Sequence, residues 1–257
     1  TLVSTTRHSV SVILEERVRA RLAEATRFSD IRLLEVTDST NRVVAELVEA
    51  GAPEGVVVAT ELQTAGRGRL DRTWEARPGT SLLVSVLVRP AGLEPDRWHL
   101  VTAAAGLAAR RACSEVAGFT PDLKWPNDLM IGDRKLAGIL AQVAGGAVVV
   151  GMGLNVREAP PGAAFADEAA GRVVDRAALL EAWLIGLDGL LGRWDEVAVL
   201  YRDSCATVGR RVVVQREGPD LVGVAEAIDA GGRLVVRPET GPAVAVSAGD
   251  VVHLRAG

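Results

Sequence analysis

Charged side chains gather where glycine or proline interrupts an apolar segment. The first such place is Gln63-Thr64-Ala65-Gly66-Arg67-Gly68-Arg69, which follows a β-branched run. Glycines let backbone N–H groups approach a ligand, and guanidinium groups suit phosphate oxygens. The segment lacks the Gly-Lys-Ser/Thr ending of a P-loop and the third glycine of a dinucleotide-binding motif. It therefore indicates either a phosphate-binding loop or a solvated basic turn.

A second charged place consists of two nearby segments, Lys124-Trp125-Pro126-Asn127-Asp128-Leu129 and Asp133-Arg134-Lys135-Leu136-Ala137-Gly138. Pro126 restricts the backbone, and Asn127 and Asp128 can hydrogen-bond to local N–H groups. Lys135 opens an apolar run in which Gly138 leaves room beside it. That lysine is either an anchor for an anion or a surface lysine whose stem covers apolar residues.

Two further segments carry polar groups at the ends of predicted elements. Thr37-Asp38-Ser39-Thr40-Asn41 begins a predicted helix, so its hydroxyl and amide groups either bind a small polar head group or cap the helix. Gly151-Met152-Gly153-Leu154-Asn155-Val156 ends an apolar strand. Asn155 there either reads an adenine or ribose edge or forms a strand-end turn.

The elements that must position these residues follow from hydrophobic periodicity. Helices are predicted over residues 10–22, 39–51, 98–112 and 180–194, with Ser39 as an N-cap. Strands are predicted over 31–36, 56–62, 81–89, 123–131 with a short Pro-Asn break, 136–143 and 147–156, the last two forming a hairpin about Gly145-Gly146. Residues 157–171 are rich in Pro, Gly and Ala and are predicted to form a loop.

The character of the sequence changes after Tyr201. Five short strands are predicted over 211–215, 221–228, 233–236, 243–246 and 251–254, separated by Gly and Pro turns. This pattern is typical of a small β-barrel. We therefore expect two domains, residues 1–207 and 208–257.

Composition limits the classes of function. The 257 residues carry a net charge of −4, and a dedicated nucleic-acid binder would usually be basic. The two cysteines, Cys113 and Cys205, have no CxxC spacing, so neither a disulfide framework nor a zinc site is predicted. No apolar run reaches transmembrane length, and Thr1–Val12 lacks the order of a signal peptide. We expect a cytoplasmic protein with no membrane partner.

The motifs decide more together than singly. Asp-Ser-Thr-Asn, Glu-Leu-Gln-Thr-Ala-Gly-Arg-Gly-Arg, Lys-Trp-Pro-Asn-Asp-Leu, Arg-Lys-Leu-Ala-Gly-Ile-Leu and Gly-Met-Gly-Leu-Asn-Val occur in this order between Thr37 and Val156. This set resembles the biotin–protein ligases of bacteria, which also carry a small C-terminal barrel. The resemblance implies an α+β fold: a mixed-sheet catalytic domain of the biotin/lipoate ligase type, followed by an SH3-like β-barrel.

The resemblance also implies an activity. Such ligases join biotin to ATP, accompanied by Mg²⁺, release pyrophosphate, and transfer biotin from biotinyl-5′-AMP to one lysine of a carrier domain. The expected partner is the biotin carboxyl carrier domain of acetyl-CoA carboxylase or a related carboxylase. No fixed protein site for a metal and no oligomeric state are predicted. About thirty-five residues precede the first motif, too few for a DNA-binding helix-turn-helix module with its wing, so no DNA partner is expected.

Site residues are carried over from the resemblance by position. The biotin pocket and adenylate loop comprise Ser39, Thr40, Asn41, Gln63, Gly66, Arg67, Gly68 and Arg69, with Gln63 at the ureido ring. Lys135, with Gly138 beside it, resembles the lysine that contacts both the biotin carboxyl and the phosphate, and Asn155 is placed on the nucleotide side. Lys135, Arg69 and Asp128 are the expected catalytic residues. Asp128 is our hypothesis for the group that orients or deprotonates the acceptor lysine.

Two other readings remain open at this point. A lipoate–protein ligase shares the fold and the acyl-adenylate chemistry. A non-catalytic biotin-binding regulator would need none of the cations Arg67, Arg69 and Lys135. The presence of these three cations, and the Lys-Trp-Pro-Asn-Asp segment together with Gln63, favour a biotin ligase.

Overall fold

The computed structural model describes residues 16–70, 72–216, 218–247 and 249–254. Its helices are α1 Glu16–Ala25, α2 Thr40–Glu49, α3 His99–Ala112, α4 Ala166–Ala170, α5 Arg176–Leu190 and α6 Trp194–Ser204. The first predicted helix begins at Val10, so its first residues lie outside the described part of the chain. Among the helices described, none is long and apolar enough to cross a membrane.

Strands β1 to β7 form one mixed sheet. They are β1 Asp30–Thr37, β2 Val56–Gln63, β3 Ser81–Val88, β4 Asp122–Lys124, β5 Asp128–Ile131, β6 Arg134–Ala144 and β7 Ala147–Asn155. Their order is β1-β2-β3-β7-β6-β5-β4, in which β1 runs parallel to β2 and the other neighbours are antiparallel. The predicted hairpin about Gly145-Gly146 and the α+β class are both confirmed.

Helices cover the sheet on both sides, which explains why β3 is buried along its whole length. On one side, Val84 and Val86 of β3 share a core with α3 and α5. On the other side, Val44 and Val48 of α2 pack against neighbours that include Leu87 of β3. Because side chains alternate between faces, consecutive residues of one strand enter different cores.

The face that carries α2 changes character beyond the end of that helix. Ser85 lies two residues from Leu87, and Gly151 lies two residues from Val149, so both continue the α2 face with small side chains. Gly138 and Gly153 are directly paired across β6 and β7. Small residues on three adjacent strands therefore leave a hollow where α2 begins.

A second, antiparallel sheet follows α6. It contains β8 Arg211–Gln215, β9 Leu221–Ile228, β10 Leu234–Pro238, β11 Val244–Val246 and β12 Asp250–His253, in the order β11-β10-β9-β8-β12. Each strand lies within two residues of its predicted range. Five short antiparallel strands are the arrangement expected of an SH3-like domain, and we call them the C-terminal sheet.

Two local predictions are wrong. The helix predicted through Trp194 ends at Leu190, because Gly192 adopts a left-handed conformation with φ 92° and α6 begins at Trp194. The helical spacing continued across this break because residues on both sides enter the same core. The predicted loop at 157–171 contains α4. Ser39 occupies the N-cap position of α2 as predicted, although its side chain makes no capping hydrogen bond.

Candidate active site

The hollow has a floor of neutral polar groups at the start of α2. Gln63, at the end of β2, accepts hydrogen bonds through Oε1 from the Thr40 backbone N–H (2.8 Å) and the Thr40 hydroxyl (3.1 Å). The buried Ser85 Oγ lies 2.7 Å from Thr40 Oγ1. The floor is therefore a connected network in which Gln63 keeps its Nε2–H groups free to donate elsewhere.

Asn41 extends this network across the sheet. Its Nδ2 donates to Leu140 O (3.1 Å) and Gln142 Oε1 (2.9 Å), and its Oδ1 lies 2.6 Å from Ser85 Oγ. A Cβ added at Gly151 would lie 2.1 Å from Asn41 Oδ1. Glycine at this position is therefore what allows the Asn41 amide to lie against the sheet.

Trp74 forms one wall of the hollow. A Cβ at Gly153 would lie 2.4 Å from Trp74 Cε2, so the indole rests directly on the backbone of β7. A Cβ at Gly138 would lie 3.3 Å from the same ring and 3.0 Å from Lys135 Nζ. The structure thus places Gly138 beside Lys135, as the sequence predicted. The Trp74 Nε1–H is buried without a hydrogen-bond partner among the described residues.

The mouth of the hollow is charged. Lys135 Nζ lies 2.6 Å from Asp128 Oδ1 and 5.8 Å from the centre of the Trp74 ring. Asp128 begins β5, directly after the turn Trp125–Asn127, which contains a cis Trp125–Pro126 peptide. Contrary to the prediction, no hydrogen bond joins the Asn127 side chain to a local N–H among the described residues. Its Nδ2 instead donates to Ile139 O on β6 at 2.8 Å.

The glycine-arginine loop is held by its own backbone. Arg67 and Thr73 form a β-bridge, Gly68 N–H donates to Arg72 O (2.6 Å), and Trp74 N–H donates to Gly66 O (3.0 Å). Gly66 does not line the hollow. A Cβ there would lie 2.4 Å from Trp74 O and 3.0 Å from Gln63 Nε2, so this glycine permits the close turn that brings Trp74 over the site.

Two arginines of this loop are tied to the C-terminal sheet. Arg69 Nη2 donates to Gly249 O (3.1 Å), and Arg72 forms an ion pair with Asp250 at the start of β12. Burial lowers the pKa of Arg69, and the Asp250 and Asp128 carboxylates oppose that shift. The Arg69 guanidinium stays charged at neutral pH, because the ordinary pKa of an arginine lies far above neutrality.

Two parts of the chain match known protein families. Residues 33–157 match the Biotin/lipoate A/B protein ligase family, and residues 207–254 match the Biotin protein ligase C terminal domain. The chain is 40% identical over 232 residues to the biotin–[acetyl-CoA-carboxylase] ligase of Mycobacterium tuberculosis, covering 85% of this chain and 87% of that protein. The chain belongs to the biotin protein ligase family.

Two further biotin protein ligases are similar to this chain. A biotin–[acetyl-CoA-carboxylase] ligase of Paracoccus denitrificans is 30% identical, with 81% of this chain and 95% of that protein covered. The structure of the Aquifex aeolicus biotin protein ligase in complex with biotin and ATP superposes with a TM-score of 0.78 at 25% identity, covering 89% of this chain and 100% of that one. The predicted family and fold are therefore confirmed.

In this family member, nearly all predicted site residues meet at one cavity of about 290 Å³. Those that line it are Ser39, Thr40, Asn41, Gln63, Arg67, Gly68, Arg69, Asp128, Lys135, Gly138 and Asn155. Asn155 is buried and donates through Nδ2 to Ala164 O (3.1 Å). Only Gly66 of the predicted set lies behind the wall rather than on it.

Sequence reasoning missed several residues of this site. Gly151 and Gly153 were visible as two glycines spaced by two on a predicted strand, the spacing that puts both on one face. Trp74 follows the arginine loop closely, but nothing local predicted which way its ring turns. Ser85 lies inside an apolar strand and Asp250 lies in the other sheet, so neither position had a local pattern. Glu75 and Asp250 add negative charge at the mouth.

Proposed function

We propose that this chain catalyses biotin–protein ligation in two steps inside the single cavity. In the first step, a biotin carboxylate oxygen attacks the α-phosphorus of ATP, the bond to the β-phosphate breaks, and pyrophosphate leaves. In the second step, a carrier lysine amine attacks the acyl carbon, AMP leaves, and the amine loses a proton. The observation that carries this proposal is the contiguity of a neutral, hydrogen-bonded floor with a cationic mouth.

The first step needs electrostatic help rather than a base. An ionised carboxylate must approach an anionic phosphate, and cations fixed nearby lower that barrier. Arg67, Arg69 and Lys135 all line the mouth and supply this charge. Lys135, at the boundary between floor and mouth, is our candidate for the residue that contacts both the carboxylate and the phosphate.

Mg²⁺ would neutralise charge on the ATP phosphates. Among the residues that the structure describes, no group of three His, Cys, Asp or Glu side chains is placed to hold a metal. The donors at the mouth are mostly arginines and a lysine, which bind phosphate oxygens rather than cations. The ion would therefore be carried mainly by the phosphate oxygens of the nucleotide.

The floor suits a cyclic urea better than an apolar ring. With Gln63 Oε1 bonded to Thr40, the free Gln63 Nε2–H can donate to a ureido carbonyl. Ser39 and Asn41 are buried polar residues that line the same cavity. The dithiolane of lipoate could not satisfy these groups, and each buried unsatisfied group costs about 1–3 kcal/mol. ATP–pyrophosphate exchange dependent on biotin and not on lipoate is the test.

Asp128 is our candidate for the second step. Its carboxylate holds Lys135 at 2.6 Å, so a substrate carboxylate or phosphate that engages Lys135 leaves Asp128 available to the acceptor amine. That amine has an unperturbed pKa of about 10.4 and must lose a proton to react. We assign Asp128 to orient the amine and accept the proton, and Asn155 to the nucleotide side of the cavity.

The role of Asp128 is tested with preformed biotinyl-5′-AMP. We expect Asp128→Asn to slow single-turnover transfer to a carrier domain about 10²-fold, a size typical of general-base removal. Pyrophosphate release in the first step should change less. Transfer at the wild-type rate would remove Asp128 from the mechanism.

The acceptor we propose is a biotin carboxyl carrier domain of acetyl-CoA carboxylase or a related carboxylase, in the cytoplasm. We assign residues 1–207 to catalysis and residues 208–257 to a C-terminal domain that supports the mouth. Mass spectrometry of a carrier domain incubated with the chain, biotin and Mg-ATP should reveal one added biotinyl group. An unmodified carrier, with biotin bound normally, would instead favour a non-catalytic biotin-binding regulator.

A further inference from the structure

The turn that carries Asp128 is fixed from behind by residues that do not line the cavity. Tyr201 on α6 donates from its hydroxyl to Pro126 O at 3.2 Å. Thr207 Oγ1 accepts the Trp125 backbone N–H at 3.0 Å. On the indole side, Trp125 Nε1 donates to Gly232 O of the C-terminal sheet at 3.3 Å.

These contacts come mainly from residues 201–207, which we call the junction segment because it joins α6 to the C-terminal sheet. Cys205 forms a parallel β-bridge with Leu123, and Ala206 N–H donates to Leu123 O at 2.8 Å. Cys205 and Ala206 of the junction segment thus lie directly beside Leu123 of β4. Tyr201 is 3% exposed and Thr207 is fully buried, so neither hydrogen bond competes with water.

The hydroxyl of Tyr201 is a permanent donor. Burial raises the pKa of this phenol well above its ordinary value, and the neighbouring Asp128 carboxylate raises it further. Thr207 Oγ1 also lies 3.1 Å from His253 Nε2 at the end of β12, so the same hydroxyl connects the turn to the C-terminal sheet. The backbone two and three residues before Asp128 is therefore held at two successive residues, Pro126 and Trp125.

We propose that Tyr201 and Thr207 are positioning residues for the transfer step, acting by fixing the Trp125–Pro126 backbone and through it the Asp128 carboxylate. The inference rests on the proposed role of Asp128. Displacing a catalytic group by about 1 Å can cost about 10²-fold in rate, so a lost anchor is measurable even where the fold survives.

The test compares two half-reactions in the full chain. Tyr201→Phe keeps the ring and removes only the donor. We expect single-turnover transfer from preformed biotinyl-5′-AMP to fall about tenfold, the result of a displacement smaller than 1 Å. Biotin affinity should stay within about twofold, because the Tyr201 hydroxyl donates to Pro126 O and not to the floor. ATP–pyrophosphate exchange should fall less than transfer, because Lys135 lies on β6 and not on the turn that Tyr201 holds. A general loss of structure would lower all three.

A double-mutant cycle shows whether the effect passes through Asp128. If it does, Tyr201→Phe combined with Asp128→Asn transfers no more slowly than Asp128→Asn alone, because coupled residues are not additive. Thr207→Val should behave like Tyr201→Phe, and Thr207→Ser should restore transfer. The matched control is Thr26→Val: like Thr207, Thr26 makes two hydrogen bonds through its hydroxyl, to Leu22 O and from Phe28 N, but away from the cavity.

Several outcomes would overturn the inference. Transfer by Tyr201→Phe within twofold of the wild type would do so, as would slowing that multiplies with that of Asp128→Asn. If Tyr201→Phe does not fold, the Thr207→Val and Thr207→Ser pair decides by the same criteria. Wild-type transfer by Asp128→Asn alone would overturn both the assignment of Asp128 and the inference. Slowing by Asp128→Asn without slowing by either junction variant removes the inference only.

Discussion

The floor and the mouth of the cavity are built on opposite principles. The floor consists of Thr40, Asn41, Gln63 and Ser85, which are neutral and joined to one another by hydrogen bonds, with the Gln63 Nε2–H groups left for a ligand. The mouth carries four cationic side chains, Arg67, Arg69, Arg72 and Lys135, interleaved with the acids Glu75, Asp128 and Asp250. One region is a fixed hydrogen-bonding surface, and the other is a cluster of charges that includes the ion pairs Lys135–Asp128 and Arg72–Asp250.

The difference suits two tasks. Buried polar groups are costly to leave unpaired, so a rigid floor discriminates strongly between ligands that do and do not complete its hydrogen bonds. Ion pairs that are partly exposed contribute only about 0–1 kcal/mol, so their members can exchange partners cheaply. Lys135 is 38% exposed in its side chain, which places its pair with Asp128 in this class. We therefore propose that the floor recognises biotin and that the mouth stabilises the charge of the phosphates.

The largest effect is expected for a substitution of Lys135, which lies where the floor meets the mouth. Lys135→Ala should slow biotinyl-5′-AMP formation by about 10²–10³-fold, because it removes a fixed cation from the reacting anions. Pyrophosphate release under saturating biotin and ATP measures it. If Lys135 belongs to the mouth, biotin affinity should fall far less than this rate.

The matched control for Lys135 is its neighbour on β6. Arg134 is also cationic, but it pairs with Glu168 at the surface and does not line the cavity. Arg134→Ala should leave pyrophosphate release within about twofold of the wild type, since exposed ion pairs contribute little. Equal slowing by both variants would mean that net charge, rather than the position of Lys135, sets the rate.

The next largest effect lies in the floor. Gly151→Ala places a Cβ only 2.1 Å from Asn41 Oδ1, so the Asn41 amide must move. Overpacking of this kind costs about 1–3 kcal/mol. If that cost falls on the biotin complex, it corresponds to roughly 5–150-fold in biotin affinity by calorimetry. Gly189→Ala is the control, since nothing lies within 4 Å of its Cβ. An unchanged biotin affinity in Gly151→Ala would break the distinction between the regions.

The sequence predicted the elements of this cavity better than its closure. Periodicity located the two sheets, and the ordered motifs located eleven of the residues that line the cavity. The ion pair between Arg72 and Asp250 joins positions far apart in sequence, and no local pattern predicts such a pairing. Asn127 was expected to bond within its own turn, but β5 lies beside β6, and the carbonyl of Ile139 is the nearer partner.

A smaller effect tests the hydrogen bonds within the floor. Thr40→Val keeps the shape of the side chain but removes the hydroxyl donor to Gln63 Oε1. Loss of one such bond near a buried acceptor costs about 1–1.5 kcal/mol, or roughly tenfold in biotin affinity. Thr40→Ser should restore the affinity. A higher KM for ATP with unchanged biotin affinity would instead place Thr40 with the mouth.

The smallest effect tests whether the ion pairs of the mouth really exchange freely. Asp250 competes with phosphate for Arg72, whose side chain is 62% exposed, so Asp250→Asn should lower the KM for ATP about two- to threefold at low salt. The gain should disappear at high salt, because screening weakens exposed pairs. Glu239→Gln, which breaks the exposed pair with Arg211 in the same sheet, is the control. A KM that rises in Asp250→Asn would mean that the C-terminal sheet must hold the arginine loop in place, and the mouth would then be as rigid as the floor.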